Sequence, residues 1–274
     1  MILAIITDAQ REVAKAAAEY VPTVLAQTGL PDSPVGEFRP ESLVGVASDG
    51  RRLDTLAYGA VTTAKTGVGG GAATRQALAE GGSWLAMMTA LQVADAARQA
   101  VGVMTAARPK LAGQIRVLNP PSCQRCVILA GRWYRWDAGF PRHPRCDCTG
   151  MPTEDLGWAR AEGFITDPMD AYRRGEITDL TEAQVKAIED GANIGQVVNA
   201  YRGISTTATQ TRDRVLRKVR HVELPPGVPD LAAFFPDRFR ETVRARNLTP
   251  EGIYRQARSR DEAISLLRKY GYIT

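Results

Sequence analysis

All four cysteines of this 274-residue chain fall within SCQRCVILAGRWYRWDAGFPRHPRCDCTG, residues 122 to 150, together with one of its two histidines. The pattern is Cys123-x2-Cys126, a gap of sixteen residues, then His143-Pro-Arg-Cys146-Asp-Cys148. A Cys-x2-Cys knuckle aims two thiolates at one ion, and a second pair about twenty residues on completes the tetrahedron of a structural zinc site. The second half offers three donors for two places. Cys146 with Cys148 gives the all-cysteine set Cys123, Cys126, Cys146 and Cys148, whereas His143 with Cys146 repeats the x2 spacing, with His143 as the alternative ligand. Five flanking arginines, Arg125, Arg132, Arg135, Arg142 and Arg145, would offset the negative charge of a thiolate-rich centre.

Other chemistries fit these residues less well. Two disulfides belong to an oxidising compartment, and the opening MILAIITDAQ lacks the basic start of a secretory leader. Ordinary buried thiols have no reason to come in pairs. A catalytic zinc keeps an open position and a nearby carboxylate base. The deaminase arrangement needs His-x-Glu upstream, and no histidine precedes Cys123. The glycine run GVGGG (67 to 71) follows no strand and leads to no Lys-Ser/Thr, so it is read as a flexible joint, not a phosphate loop. No Gly-x-Ser-x-Gly elbow is present, and His221 lies in the basic segment RKVRHVELPPG, so the residues alone point away from an enzyme.

The elements that must position the cysteines are mostly helical. Thr7 and Gln10 fit a capping box, and Val13, Ala17, Tyr20 and Val24 follow at helical spacing, which predicts a helix over 8–28 that Pro22 could kink. Short glycine-broken helices follow. From Ser83 to Arg108 the apolar Trp84, Met87, Met88, Leu91, Val101 and Met104 share a face, with Pro109 as the stop. QIRVLNPPSCQRCVILAGRWYRWD then turns β-branched and aromatic, which predicts a small β or irregular segment around the cysteines. Thr181 and Gln184 form a further capping box, and Ile194, Val197, Val198 and Tyr201 share a face. At the end, Thr249 with Pro250 and then Ser259 or Asp261 start two short helices with Ile253, Ala257, Ile264, Leu267 and Tyr270 inward, loosely like a helix-turn-helix. The fold class expected is mainly α with a small β or irregular zinc-knuckle segment, α+β overall.

Composition is globular, with 44% hydrophobic and 24% charged residues, and no apolar run reaches the ~20 residues of a membrane span. The net charge of +5 is uneven: residues 203 to 274 hold 14 Lys or Arg against 8 Asp or Glu, so the whole surplus lies there. Arg212, Arg214, Arg217, Lys218 and Arg220 concentrate it, a pattern suited to a polyanion such as DNA or to an acidic protein, or to a merely solvated face.

The cysteine segment also resembles a family. CQRCVILAGRWYRW and HPRCDC, that is Cys-x2-Cys, Gly-Arg-aromatic-Tyr and His-Pro-x-Cys-x-Cys, are similar to the zinc-binding region of MuF-like minor capsid proteins, the head morphogenesis proteins of tailed phages, especially those infecting actinobacteria. The alanine-rich helix before it and AIEDGANIGQVVNAYRG after it extend the likeness over roughly residues 85 to 205. The resemblance implies a virion protein near the portal, in few copies, made in the host cytoplasm. Its partners would be portal, major capsid or scaffold protein, and packaged double-stranded DNA bound without sequence preference. It also implies Zn2+ as a structural ion. Related chains are often labelled capsid maturation proteases, so that activity is the first alternative and a zinc-containing DNA-binding module the second. The corresponding division is a helical region over 1–110, a MuF-like core over 111–205, a basic and Pro-rich linker over 206–230, and a small basic helical region over 231–274.

Overall fold

A computed structural model describes residues 2–199 and 250–274, apart from 121, 141, 144, 145, 147, 179 and 192. Two long helices form its frame: α1 (Ile2–Thr28) and α4 (Thr74–Ala106), packed along each other. Both are rich in alanine, so their axes approach closely, and Ala14, Ala17, Ala100, Val103 and Ala106 are buried between them. Between the two helices lie a 3-10 turn (Pro40–Leu43) and two short helices, α2 (Leu53–Ala57) and α3 (Gly59–Gly69). The long helices also differ from the expected limits. Helix α1 begins at Ile2, so Thr7 is an interior residue whose hydroxyl donates to the Ala4 carbonyl (2.9 Å), and no capping box forms there. Gln10 is instead buried, accepting from the Gly45 amide (2.9 Å) and donating to the Val46 carbonyl (3.0 Å). The helix continues through Pro22 because its apolar face is held against the core on either side of that residue.

Helix α4 starts some nine residues before Ser83, since TRQALAE is a strong helix-forming run. The Gly81–Gly82 pair does not break it. A Cβ at Gly81 would lie 2.7 Å from the Ala60 carbonyl oxygen, so glycine here is what lets α3 lie against α4.

The β segment is a three-stranded antiparallel sheet of order β2-β1-β3, with β1 (Gly113–Val117) central, β2 (Trp133–Arg135) and β3 (Thr149–Thr153). Register pairs Gln114 with Tyr134 on one side and with Pro152 on the other. A short helix, α5 (Gln124–Ile128), fills the connection from β1 to β2, and Gly131 beyond it, with a φ of +67°, makes the turn. The Gly131 amide closes that turn on the Arg116 carbonyl (2.9 Å).

Four short helices follow, α6 (Leu156–Ala161), α7 (Pro168–Arg173), α8 (Glu182–Glu189) and α9 (Ile194–Asn199). Asp155, Asp167 and Thr181 cap the first three, Thr181 in the capping box expected with Gln184. With α5, helices α7, α8 and α9 bury a second small core of Ile128, Ala171, Ile177, Ile188, Ile194 and Val198.

The last helices, α10 (Pro250–Gln256) and α11 (Arg260–Lys269), return to the main core. Ser259 caps α11 by accepting from the Glu262 amide. Ile253 and Leu267 are fully buried with α1 and α4 side chains, and Ala257 and Tyr270 pack beside them. Arg260 donates to the carbonyls of Thr105, Pro109 and Leu111, which serves the C-terminal end of α4 and is not a solvent-facing charge. Residues from both ends of the chain therefore build one core. The class is α+β, mainly helical with a small antiparallel sheet. Among the described residues no helix is long and apolar enough to cross a membrane.

Candidate metal centre

The sheet brings the two halves of the cysteine pattern together. Cys123 is the N-cap of α5 and Cys126 lies inside it, with the Cys126 and Val127 amides both bonded to the Cys123 carbonyl (2.9 and 3.0 Å). This tight turn is what Cys-x2-Cys spacing provides. In the second half the Cys146 amide bonds to the His143 carbonyl (3.0 Å), and Cys148 immediately precedes β3. Because β1 lies between β2 and β3, the run into β3 passes the helix that leaves β1, and the side chains converge.

Two overlapping trios result: Cys123, Cys126 and His143, and Cys126, Cys146 and Cys148, each with its donor atoms within 4.8 Å of one another. Cys126 belongs to both. Its sulfur is 3.6 Å from Cys146 Sγ and 3.5 Å from His143 Nε2, and Cys123 Sγ is 3.1 Å from the same nitrogen. With Zn–S near 2.3 Å and Zn–N near 2.0–2.1 Å, a tetrahedral site has edges of about 3.8 Å between sulfurs and about 3.6 Å between sulfur and nitrogen. The cluster thus has the dimensions of a metal site, and its five residues could hold a metal ion. All four thiols are free; Cys123 is exposed and the other three buried.

The electrostatics are those of crowded soft ligands. A hydrogen bond from Cys126 holds the Cys123 thiol far below the usual range, and hydrogen bonds from Cys126 and Cys148 do the same for Cys146. The donors move the other way: Cys126 is pushed up by its bonds to Cys123, Cys146 and Cys148. For Cys148 the pull of Cys126 is outweighed by Cys146 and by burial. Four sulfurs this close share protons when no cation is among them, and only a cation lets all four ionise.

Around them lies a polar shell that sequence spacing does not reveal. Arg116 of β1 points its Nη2 at Cys126 Sγ (3.4 Å) and Cys146 Sγ (3.5 Å), with its guanidinium carbon 5.0 Å from the Phe140 ring centre. Burial alone would lower its pKa, but the charges of Cys148, Cys146 and Cys126 more than offset that and raise it. Arg98 of α4 donates to the carbonyls of Cys148 (2.6 Å) and Cys146, and to Asp95 (3.0 Å). Asp95 also pairs with Arg142 (2.6 Å). The Asp95–Arg98 spacing of three on the buried face of an alanine-rich helix is the one available signal, since charges are seldom placed there without a partner.

Of the four flanking arginines among the described residues, Arg142 is the one buried against this network. Arg132 stacks 5.6 Å from the Tyr134 ring, Arg135 pairs with Asp137, Arg125 is half-buried on α5, and Arg145 lies outside the described residues. So do Arg212, Arg214, Arg217, Lys218, Arg220 and His221. A groove of about 680 Å³ beside α5, lined by Trp133, Met169, Ile188 and Ile194 among others, is mainly apolar. Its Thr166 hydroxyl and Trp133 indole are bonded internally, to the Ala130 carbonyl and Thr153.

Comparison with protein-family models, with curated proteins and with solved structures gives no match to this chain.

Proposed function

We propose that this chain is a minor capsid protein of a tailed phage, of the MuF-like head morphogenesis type. It acts as a structural virion component near the portal, with Zn2+ as a structural ion. The observation that supports this reading is that the motif carrying the resemblance, CQRC with HPRCDC, folds into one cluster of metal-site dimensions. A segment with only three short strands buries too little apolar surface to stand alone, and zinc supplies on the order of 10 kcal/mol to such a fold. Zinc bound by four of Cys123, Cys126, His143, Cys146 and Cys148 would join α5 to β3. On this reading the role is structural, with His143 turned toward Cys123 and Cys126.

Partners on this reading are the portal, the major capsid or the scaffold protein, with assembly in the host cytoplasm. Arg212, Arg214, Arg217, Lys218 and Arg220 would meet packaged DNA without sequence preference, so binding would weaken steeply with salt. Quantitative mass spectrometry of purified particles tests the proposal. A low, fixed number of intact copies per portal ring is expected. Absence from particles would refute a virion role, and consistent internal cleavage would favour the protease alternative.

A further inference from the structure

Helices α3 and α4 form a hairpin whose inner seam is built largely of small residues. A Cβ at Gly67 would meet Ala77, one at Gly81 would meet Ala60 and Ala64, and one at Gly59 would meet the Trp84 ring, so the two helices run antiparallel. Each step along a helix turns the side chain by about 100°. In an antiparallel pair, the positions one before the seam therefore point to one side of the hairpin and those one after it to the other. Before the seam stand Thr63, Thr66, Gln76, Glu80 and Ser83, a polar side on which Gln76 donates to Glu80 (3.1 Å). After it stand Val61, Lys65 and Val68 of α3 and Leu78, Gly82 and Leu85 of α4. Val61, Val68 and Leu78 are 42%, 48% and 62% exposed, α3 has no buried residue, and no charge occurs in α4 from Gly81 to Ala94. Single exposed apolar residues are ordinary, whereas a continuous stripe over two helices marks a contact surface.

We infer that this face pairs two copies of the chain, α4 against α4, about a two-fold axis at Gly82. The stripe is complementary to itself. Leu78, Gly82, Leu85 and Thr89 follow the alternating four-three spacing of a helix seam. With Gly82 opposite Gly82 in an antiparallel pair, Leu78 lies over Ala86 of the second copy and Ala79 over its Leu85, so large side chains meet small ones. A Cβ at Gly82 would have open space in the single chain, and its absence lets the two axes approach. Charges do not oppose one another across the α4 contact: Arg75 falls opposite Thr89, and the two Arg75 side chains stand about 21 Å apart along the axis. Lys65 lies on α3 at the margin, where its long stem keeps the ammonium in water. The face is about 25 Å long, from Thr74 to Ala90, and about 20 Å across. That is ~500 Å² per copy and ~1,000 Å² in the pair, the lower limit of a specific interface, so the dimer is weak and reversible. The inference is independent of the metal centre, whose supports on α4 are Asp95 and Arg98.

Sedimentation equilibrium of the full chain, at concentrations up to about 0.2 mM, tests this. A concentration-dependent exchange between monomer and dimer is expected. A mass that stays monomeric overturns the inference, whatever other protein covers this face, and so does a closed higher oligomer. Gly82→Glu places a charge at the axis where the single chain has room for it. It should leave circular dichroism unchanged and the melting temperature no lower, while weakening the dimer at least about tenfold. Thr66→Glu, on the polar side of the hairpin, should leave the dimer intact, and equal effects of the two changes overturn the assignment to this face. Leu78→Ala alone should weaken the dimer. Adding Ala86→Leu exchanges large and small across the contact and should recover most of the loss; no recovery overturns the register centred on Gly82.

Discussion

Replacing Arg98 by Met asks how firmly the long helix α4 is joined to the cysteine segment. Methionine retains most of the apolar stem, so the change removes charge and donors without opening a large cavity. Three hydrogen bonds disappear: to the Cys148 carbonyl (2.6 Å), to the Cys146 carbonyl, and to Asp95 (3.0 Å). Asp95 keeps Arg142 at 2.6 Å, so its carboxylate is not abandoned. The two carbonyls are the larger loss, at roughly 1–3 kcal/mol for each buried acceptor left unmade, and bonds to charged donors fall in the upper part of that range. A total of about 3–5 kcal/mol follows, a large share of the ~5–15 kcal/mol that folded domains possess. Urea unfolding of the zinc-loaded chain, followed by circular dichroism, reads it as a fall in midpoint at constant slope. Zinc should also pass more quickly to a competing chelator, because Cys146 and Cys148 lose their backbone anchor. A loss below about 1 kcal/mol would refute the reasoning, since that is the scale of an exposed ion pair.

Arg173→Met supplies the contrast: its pair with Asp170 has both side chains more than half exposed (66% and 53%), and it should cost less than about 0.5 kcal/mol in the same assay. Cys126→Ser removes the sulfur shared by both trios, so bound metal measured by elemental analysis should fall to background and the melting temperature should drop; unchanged values would refute the site. Gly113→Ala should destabilise by about 1–3 kcal/mol or more in thermal melts, because the new methyl would meet the Tyr134 carbonyl oxygen and lie 2.5 Å from the Trp133 ring. Ser259→Ala removes the acceptor for the Glu262 amide at the start of α11 and should cost about 1 kcal/mol, checked by denaturant midpoint.

What could be read in the sequence was local. Cys-x2-Cys encodes a turn, Thr181-x2-Gln184 a capping box and Ser259 a cap, and each is present because the interaction spans only a few residues. Readings failed where a distant partner claimed a side chain. Thr7 and Gln10 have the letters of a capping box, but Gln10 is taken by the loop amide and carbonyl at Gly45 and Val46, and the helix starts before them. The expected start of α4 at Ser83 missed the packing of Gly81 on Ala60, which makes a glycine pair an asset within a helix. The supporting shell of the cluster was hidden in the same way. Arg98 and Arg116 lie 50 and 10 positions from the cysteine groups they hold, and no spacing rule connects them.

This gap between ligands and supports bears on how the site works. A knuckle held only by its own ligands would be a local staple, its loss felt by one loop. Here the carbonyls of Cys146 and Cys148 are tied to α4 through Arg98, and α4 in turn packs with α1, α10 and α11 in one core. The cysteine cluster is therefore joined to the helical frame through Arg98. Metal removal should then be felt beyond residues 122–150. Hydrogen exchange should show faster opening of the C-terminal half of α4, from Leu91 to Ala106, as well as of α5 and β3. Exchange confined to the cysteine loops, with α4 protection unchanged, would show that the arginine shell transmits nothing and that the knuckle is only a local staple.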